Sequence, residues 1–212
     1  MKKIFMAVVV LAVVATACKG EKKEAVETKE AKKVVVNVSE LNNVDTAASI
    51  LTWKGTKPTG AHDGVVSLSS GGLVVENGTV TQGEFIIDMN TIVNKDMAGS
   101  DGAGKLEGHL KSGDFFDVEK FPTSTFVITS VTEAEGKLAV TGNLTIKDVT
   151  KSITIPATVS TEGGVTTFTS DKFMVNRADF NVKYGSKSFF DNLKDKFIDD
   201  LMEMSFVVKT KA

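Results

Sequence analysis

The chain reads as all-β, an antiparallel sandwich or barrel of seven or eight strands, and two observations lead there. Apolar and polar residues alternate at period two through most of its length, the spacing of half-buried strands. Short turn-forming clusters separate these runs: Ser-Ser-Gly-Gly at 69–72, Glu-Asn-Gly at 76–78, Glu-Ala-Glu-Gly at 133–136, Lys-Asp-Val-Thr-Lys at 147–151 and Thr-Glu-Gly-Gly at 161–164.

Taken in order, "GEFIIDMNTI" sets Phe85, Ile87 and Met89 on one face against Ile86, Asp88 and Asn90. "KLAVTGNLTI" aligns Leu138, Val140, Gly142, Leu144 and Ile146, and "SITIPATV" continues with Ile153 and Ile155. "KFMVNRADFNVKYG" offers Phe173, Val175, Arg177, Asp179 and Asn181 on one side, Met174, Asn176, Ala178, Phe180 and Val182 on the other. The last strand, "MEMSFVVK", presents Met202, Met204, Phe206 and Val208. Two regions break the alternation. Residues 94–104, "NKDMAGSDGAG", read as a long polar loop, followed by a short helix in "KLEGHLKSGDFF". Phe189, Leu193, Phe197 and Leu201 recur every four residues, the stripe of an amphipathic helix that packs on the barrel or covers its mouth.

The N-terminus has another character. Lys2 and Lys3 precede the apolar run Ile4–Val14, which predicts an export signal over residues 1–17. That run is shorter than the roughly 20 apolar residues of a membrane-spanning helix. Ala15, Thr16 and Ala17 lead into the sole cysteine, Cys18, in an arrangement that resembles a bacterial lipobox, with Cys18 as the lipidation site. Residues 18–33 are dense in Lys and Glu and predict a flexible tether. Residues 34–212 have the length of one domain with its own core.

The formal charge of −2 becomes −4 once Lys2 and Lys3 are removed, and no basic patch with interleaved aromatics appears, so nucleic acid is not an expected partner. With Cys18 acylated, no disulfide can form within the domain.

Several separated segments share one spelling: "SILTWKGTKPTGAHDGVVSL", "GEFIIDMNTI", "KLEGHLKSGDFFDVEKFPTSTF", "VTGNLTIKDVTKSITIPATV" and "NRADFNVKYG". Through them the chain resembles the bacterial YceI-like, or polyisoprenoid-binding, family over about residues 44–209. The most specific piece runs from His109-Leu110 through Asp114-Phe115-Phe116-Asp117 to Phe121-Pro122-Thr123 and Phe126. The resemblance implies an extended, antiparallel, eight-stranded lipocalin-like β-barrel with short helices. It also implies an exported, non-enzymatic protein that holds a long-chain amphiphile of the isoprenoid class. Asp148 stands where the family often has glycine, and the tether is a further departure.

An eight-stranded barrel either encloses one small ligand or is filled by its own side chains. The wall candidates are Trp53, Phe85, Met89, Phe126, Phe173, Phe180 and Phe206. His62, Asp63, His109 and Arg177 are the candidates for a polar mouth that meets a head group, with Asp179 or another carboxylate expected to pair Arg177. His109 is expected to hydrogen-bond backbone where the short helix enters its turn. No His-x-x-x-His pair or Gly-x-Ser-x-Gly elbow occurs, so neither a metal centre nor a catalytic residue is expected. No cofactor is called for beyond the bound lipid.

The leading expectation is a carrier or store for that lipid, facing the periplasm or cell surface of a bacterial envelope and held there by its anchor. A homodimer is compatible with the sequence. The competing readings are an envelope interaction module with a filled barrel and, in third place, a hydrolase built on His109.

Overall fold

The computed structural model describes residues 24–34, 42–134 and 136–212, so the expected signal peptide and Cys18 lie outside the described residues. Ten strands and one α-helix follow in the order β1 (Lys29–Glu30), β2 (Ile50–Lys57), β3 (Gly60–Glu76), β4 (Thr79–Asn94), α1 (Asp101–Lys111), β5 (Thr123–Ala134), β6 (Lys137–Ile146), β7 (Val149–Glu162), β8 (Val165–Ser170), β9 (Phe173–Asn176) and β10 (Leu201–Lys209). All pairings between them are antiparallel. Eight strands close a barrel in the order β7-β6-β5-β4-β3-β2-β10-β8, with β8 returning to β7. The fold is therefore the all-β barrel expected of the sequence.

Hairpin chemistry explains the tight connections. Asn77–Gly78, Lys147–Asp148 and Gly163–Gly164 each join paired strands through two residues with positive φ. That is the turn whose twist matches the flanking strands. Asp148 reaches φ 59° without being glycine, because Asp is one of the few side chains that tolerate the left-handed region. The Ser69–Gly72 cluster, read above as a turn, instead lies inside β3. Its pairing with β4 shifts register between Leu68 and Ser70, so the polar pair marks a β-bulge.

Three further expectations are corrected. The polar loop after β4 is shorter than 94–104, because Ser100 caps α1 by accepting the Ala103 N–H and Asp101 favours the first turn. The strand alternation expected through Val182 stops at Asn176, whose side chain caps a 3-10 turn over Arg177–Phe180. The amphipathic helix expected at 189–201 is absent. Asn192 and Lys194 take positive φ, which no α-helix accommodates, and only a 3-10 turn at Lys194–Lys196 forms before β10.

Part of the segment expected as a flexible tether, within residues 24–33, pairs with the barrel. β7 pairs with β8 only from Ala157 onward, next to Pro156, which has no N–H to extend a ladder. β8 ends at Ser170 and β9 continues along β10, so a gap opens between the first half of β7 and β9. The N-terminal segment fills it. Lys29 and Glu30 pair with Ser152 and Lys151 of β7, and Val26 N–H donates to the Met174 carbonyl of β9 at 2.8 Å. Asn143 grips the backbone of Lys32 from both sides, at 3.0 and 2.7 Å, and Thr28 donates to Asp179 at 2.8 Å. Composition alone predicts a solvated tether; the unpaired backbone of β7 supplies partners that composition does not reveal.

Candidate functional site

Inward-facing residues of the strands leave a cavity of about 230 Å3 inside the barrel. Period two puts every second residue on that surface: Leu51 and Trp53 of β2, Val66 and Leu68 of β3, Phe85, Ile87 and Met89 of β4, and Ile153 and Ile155 of β7. Met202, Met204, Phe206 and Val208 of β10 complete the same register. Six of the seven wall candidates therefore line the space: Trp53, Phe85, Met89, Phe126, Phe173 and Phe206. Phe180 does not; it sits wholly buried in the 3-10 turn after β9, where the chain has left strand geometry.

Polar side chains gather at one end. Lys54, Thr56, Lys57 and His62 come from the β2–β3 hairpin, and Asp199 from the segment before β10. Asp199 N–H donates to the Thr56 carbonyl at 2.9 Å, and Thr56 Oγ1 donates to the Asp199 carboxylate at 2.5 Å, which ties these two rims together. His62 Nδ1 lies 2.9 Å from Asp96 Oδ2 and joins the hairpin to the loop before α1. That contact, with the Asp63 N–H at 3.0 Å on Oδ1, holds the Asp96 carboxyl down at about 2, well below the ordinary 3.8. Asp63 itself does not line the cavity. Its side chain belongs to the alternate face of β3, and it contributes through its backbone to Asp96, Lys95 and Asn94.

Arg177 is completely buried and lines the space. Its guanidinium donates to the carbonyls of Val182 (2.7 Å), Ile198 (3.0 Å) and Asp199 (3.1 Å) and lies over the Phe115 ring at 5.3 Å. The carboxylate beside it is Asp200, at 3.3 Å, and not Asp179, which accepts from Thr28 and Asn176. Burial pulls the Arg177 pKa down, against the opposing fields of Asp200 and Asp199. A side chain holding three carbonyls is committed to structure and has little capacity left for a head group.

His109 projects from the last turn of α1, where its backbone carbonyl accepts from Ser112. The side chain departs from expectation: Nε2 is buried and makes no hydrogen bond to the described residues. The imidazole packs edge-on against Tyr184 at 4.5 Å and Phe115 at 6.1 Å, because the residues around it at the cavity edge are aromatic. Leu106 and Leu110 line the cavity beside it, as do Phe115 and Phe116 from the turn that follows. Their spacing, Leu106-His109-Leu110, is the i, i+3, i+4 face of a helix and was a readable signal of an inward stripe. Among the described residues no three His, Cys, Asp or Glu side chains cluster in a way that would hold a metal ion.

Comparison with known proteins places this architecture. Residues 42–210 match the model of the YceI-like domain. The protein YceI of Salmonella arizonae is 37% identical over 75 residues, 35% of this chain and 39% of that protein, and its counterpart in Salmonella newport matches equally. The chain thus aligns with about two fifths of the length of these curated relatives. Among solved structures, Burkholderia cenocepacia BcnA superposes with a TM-score of 0.65 at 23% identity, covering 80% of this chain and 100% of its own. A polyisoprenoid binding domain from Saccharophagus degradans, implicated in plant cell wall breakdown, gives 0.60 at 18% identity, with 80% and 97% covered. At such identities the likeness to the solved structures is one of fold, whereas the domain match spans the whole barrel: the chain belongs to the YceI-like family.

Proposed function

We propose that this protein binds a long-chain amphiphile of the isoprenoid class inside its barrel, without covalent chemistry, and carries or stores it in the bacterial envelope. The observation that carries this reading is the space of about 230 Å3 inside the barrel, whose lining is mostly apolar and aromatic side chains. That volume is just below the roughly 300–1,000 Å3 of small-ligand sites, and Met89, Met202 and Met204 in its wall can re-pack around an irregular chain. Enclosing a hydrocarbon supplies about 0.8 kcal/mol per methylene-sized group, so affinity needs no charged contact. The printed description of the Saccharophagus degradans neighbour as polyisoprenoid binding supports the same ligand class.

The family match and the polyisoprenoid-binding neighbour support a binding role over a catalytic one. The lipobox-like Ala15-Thr16-Ala17-Cys18 supports anchoring through Cys18 and an envelope location. The reading is tested by purifying the protein from its bacterial host, extracting it with organic solvent and analysing the extract by mass spectrometry. Recovery of a stoichiometric polyprenyl compound is the expected result. Protein that yields none, and that also fails to take up an apolar dye, would sink the carrier.

A further inference from the structure

The segment between the 3-10 turn at Arg177–Phe180 and β10 is polar in composition yet presents aromatics to solvent. Phe189 is 42% exposed, Phe190 49% and Tyr184 44%, three of the five exposed large apolar side chains among the described residues. Isolated exposed apolar residues need no explanation, but an adjacent pair on a firmly held loop does. The base of this loop is fixed. Ser186 is fully buried and its carbonyl accepts the N–H groups of both Phe189 and Phe190, at 3.2 and 3.0 Å. Ser188 donates to Asp200 at 2.6 Å, and Gly185 accepts from Ile198 at 2.8 Å. The fold therefore holds the two phenylalanines outward, where collapse onto the barrel would have buried them.

We propose that residues 183–197 form a docking surface for an anionic lipid bilayer, through which the barrel exchanges its ligand; this rests on the carrier reading above. Three observations select a membrane. Lys183, Lys187, Lys194 and Lys196 are exposed along residues 183–197 against Asp191 and Asp195, so this segment carries a formal charge of +2 in a chain that is net acidic. Lys183 lies over the Phe189 ring at 5.0 Å and Lys187 over Phe197 at 3.3 Å, which is the pairing of ammonium and aromatic found at lipid head-group level. The patch also borders the polar mouth: Ile198 and Asp199 line the cavity, and Tyr184 rests on His109, which lines it too.

The test uses the full chain reconstituted in phosphatidylcholine vesicles with and without phosphatidylglycerol. Phe190→Trp adds an indole at the loop tip, and wild type, whose only tryptophan is Trp53, sets the baseline. Brominated phosphatidylglycerol should quench the added emission at least about threefold, and high salt should relieve it. In a second measurement, protein preloaded with a fluorescent prenyl probe delivers it to the vesicles. The double variant Phe189→Asp/Phe190→Asp should slow delivery by about tenfold or more while holding the probe as tightly as wild type.

Unquenched emission together with equal delivery rates overturns the docking surface and leaves the carrier standing. Self-association that the double variant abolishes, without any dependence on lipid, replaces the membrane by a second copy of the chain and likewise overturns it. Wild type that never takes up the probe brings down the carrier, and the docking surface with it.

Discussion

The imidazole of His109 meets the ring of Tyr184 edge-on at 4.5 Å, and its Nε2 is buried with no hydrogen-bond partner among the described residues. A buried, unsatisfied polar atom costs about 1–3 kcal/mol, and a ligand with a polar head can satisfy it. His109→Phe removes that atom and keeps a ring against Tyr184. The expected outcome is a gain of about 1 kcal/mol in unfolding free energy of the empty protein. Affinity for a prenyl alcohol should fall about tenfold, with no change for the corresponding hydrocarbon. Calorimetric unfolding and paired titrations read both effects, and an equal loss for the two probes would assign His109 to packing alone.

Arg177 makes a different prediction, about stability. It holds the carbonyls of Val182, Ile198 and Asp199 from a fully buried position, and so joins the 3-10 turn after β9 to the segment entering β10. Arg177→Met leaves these carbonyls without their donor and Asp200 without its ion-pair partner, a loss of about 3–5 kcal/mol. Arg177→Lys brings one ammonium that cannot span three divergent acceptors and should recover less than half of that. Urea midpoints check this; a lysine variant as stable as wild type would show that the fork geometry is dispensable.

The barrel was legible in the sequence because its signals are local. Alternation through Phe85, Ile87 and Met89, or through Met202, Met204 and Phe206, names both the strands and their inward faces once closure is assumed. The failures were places where tertiary partners decide. Phe180 fits the alternation of its neighbours, yet the Asn176 cap turns the chain into a 3-10 turn just before it. The stripe at Phe189, Leu193, Phe197 and Leu201 has helical spacing, but the backbone N–H groups along it go to the carbonyls of Ser186, Gly185 and Thr56 instead. Lys29 and Glu30 look like solvent-loving tether and form a strand because β7 has an edge to fill. The polarity of the mouth was foreseen in His62, whereas Thr56, Lys57 and Asp199 carry no motif and are found only by where the hairpin lands.

The mouth has its own acid dependence. The Asp96 carboxyl is held at about 2 by His62 and the Asp63 N–H, below its ordinary 3.8, so the folded state prefers it ionised. A depressed carboxylate stabilises the fold fully above its unfolded pKa, and that contribution declines as pH falls from about 4 towards 2. Asp96→Asn removes the charge at every pH. Wild type should therefore exceed the variant in stability near neutrality, and the gap should close on acidification through that window. Urea unfolding of both proteins at successive pH values measures it. A gap that persists unchanged below about pH 2 would mean that the His62–Asp96 contact contributes through shape alone.

The last prediction concerns the N-terminal segment as part of the barrel wall. Ile153 and Ile155 of β7 and Phe173 and Val175 of β9 all line the cavity, and the chain from Val26 to Lys32 bridges the space between these two strands. Asn143→Ala deletes both bonds to Lys32, each worth about 0.5–1.5 kcal/mol. The β5–β6 and β6–β7 ladders do not depend on them, so their amides should keep wild-type exchange rates. The Val26 amide, donated to Met174 at the far end of the segment, should exchange about tenfold faster. If Val26 exchanges no faster than in wild type, its contact with β9 is independent of the grip on Lys32. A chain starting at residue 42 takes the consequence further. It exposes the β7 edge around Lys151 and Ser152, and an uncovered edge recruits another strand. Sedimentation of that truncated chain should show self-association beyond that of the full chain, because two copies can then pair across the edge the segment normally occupies.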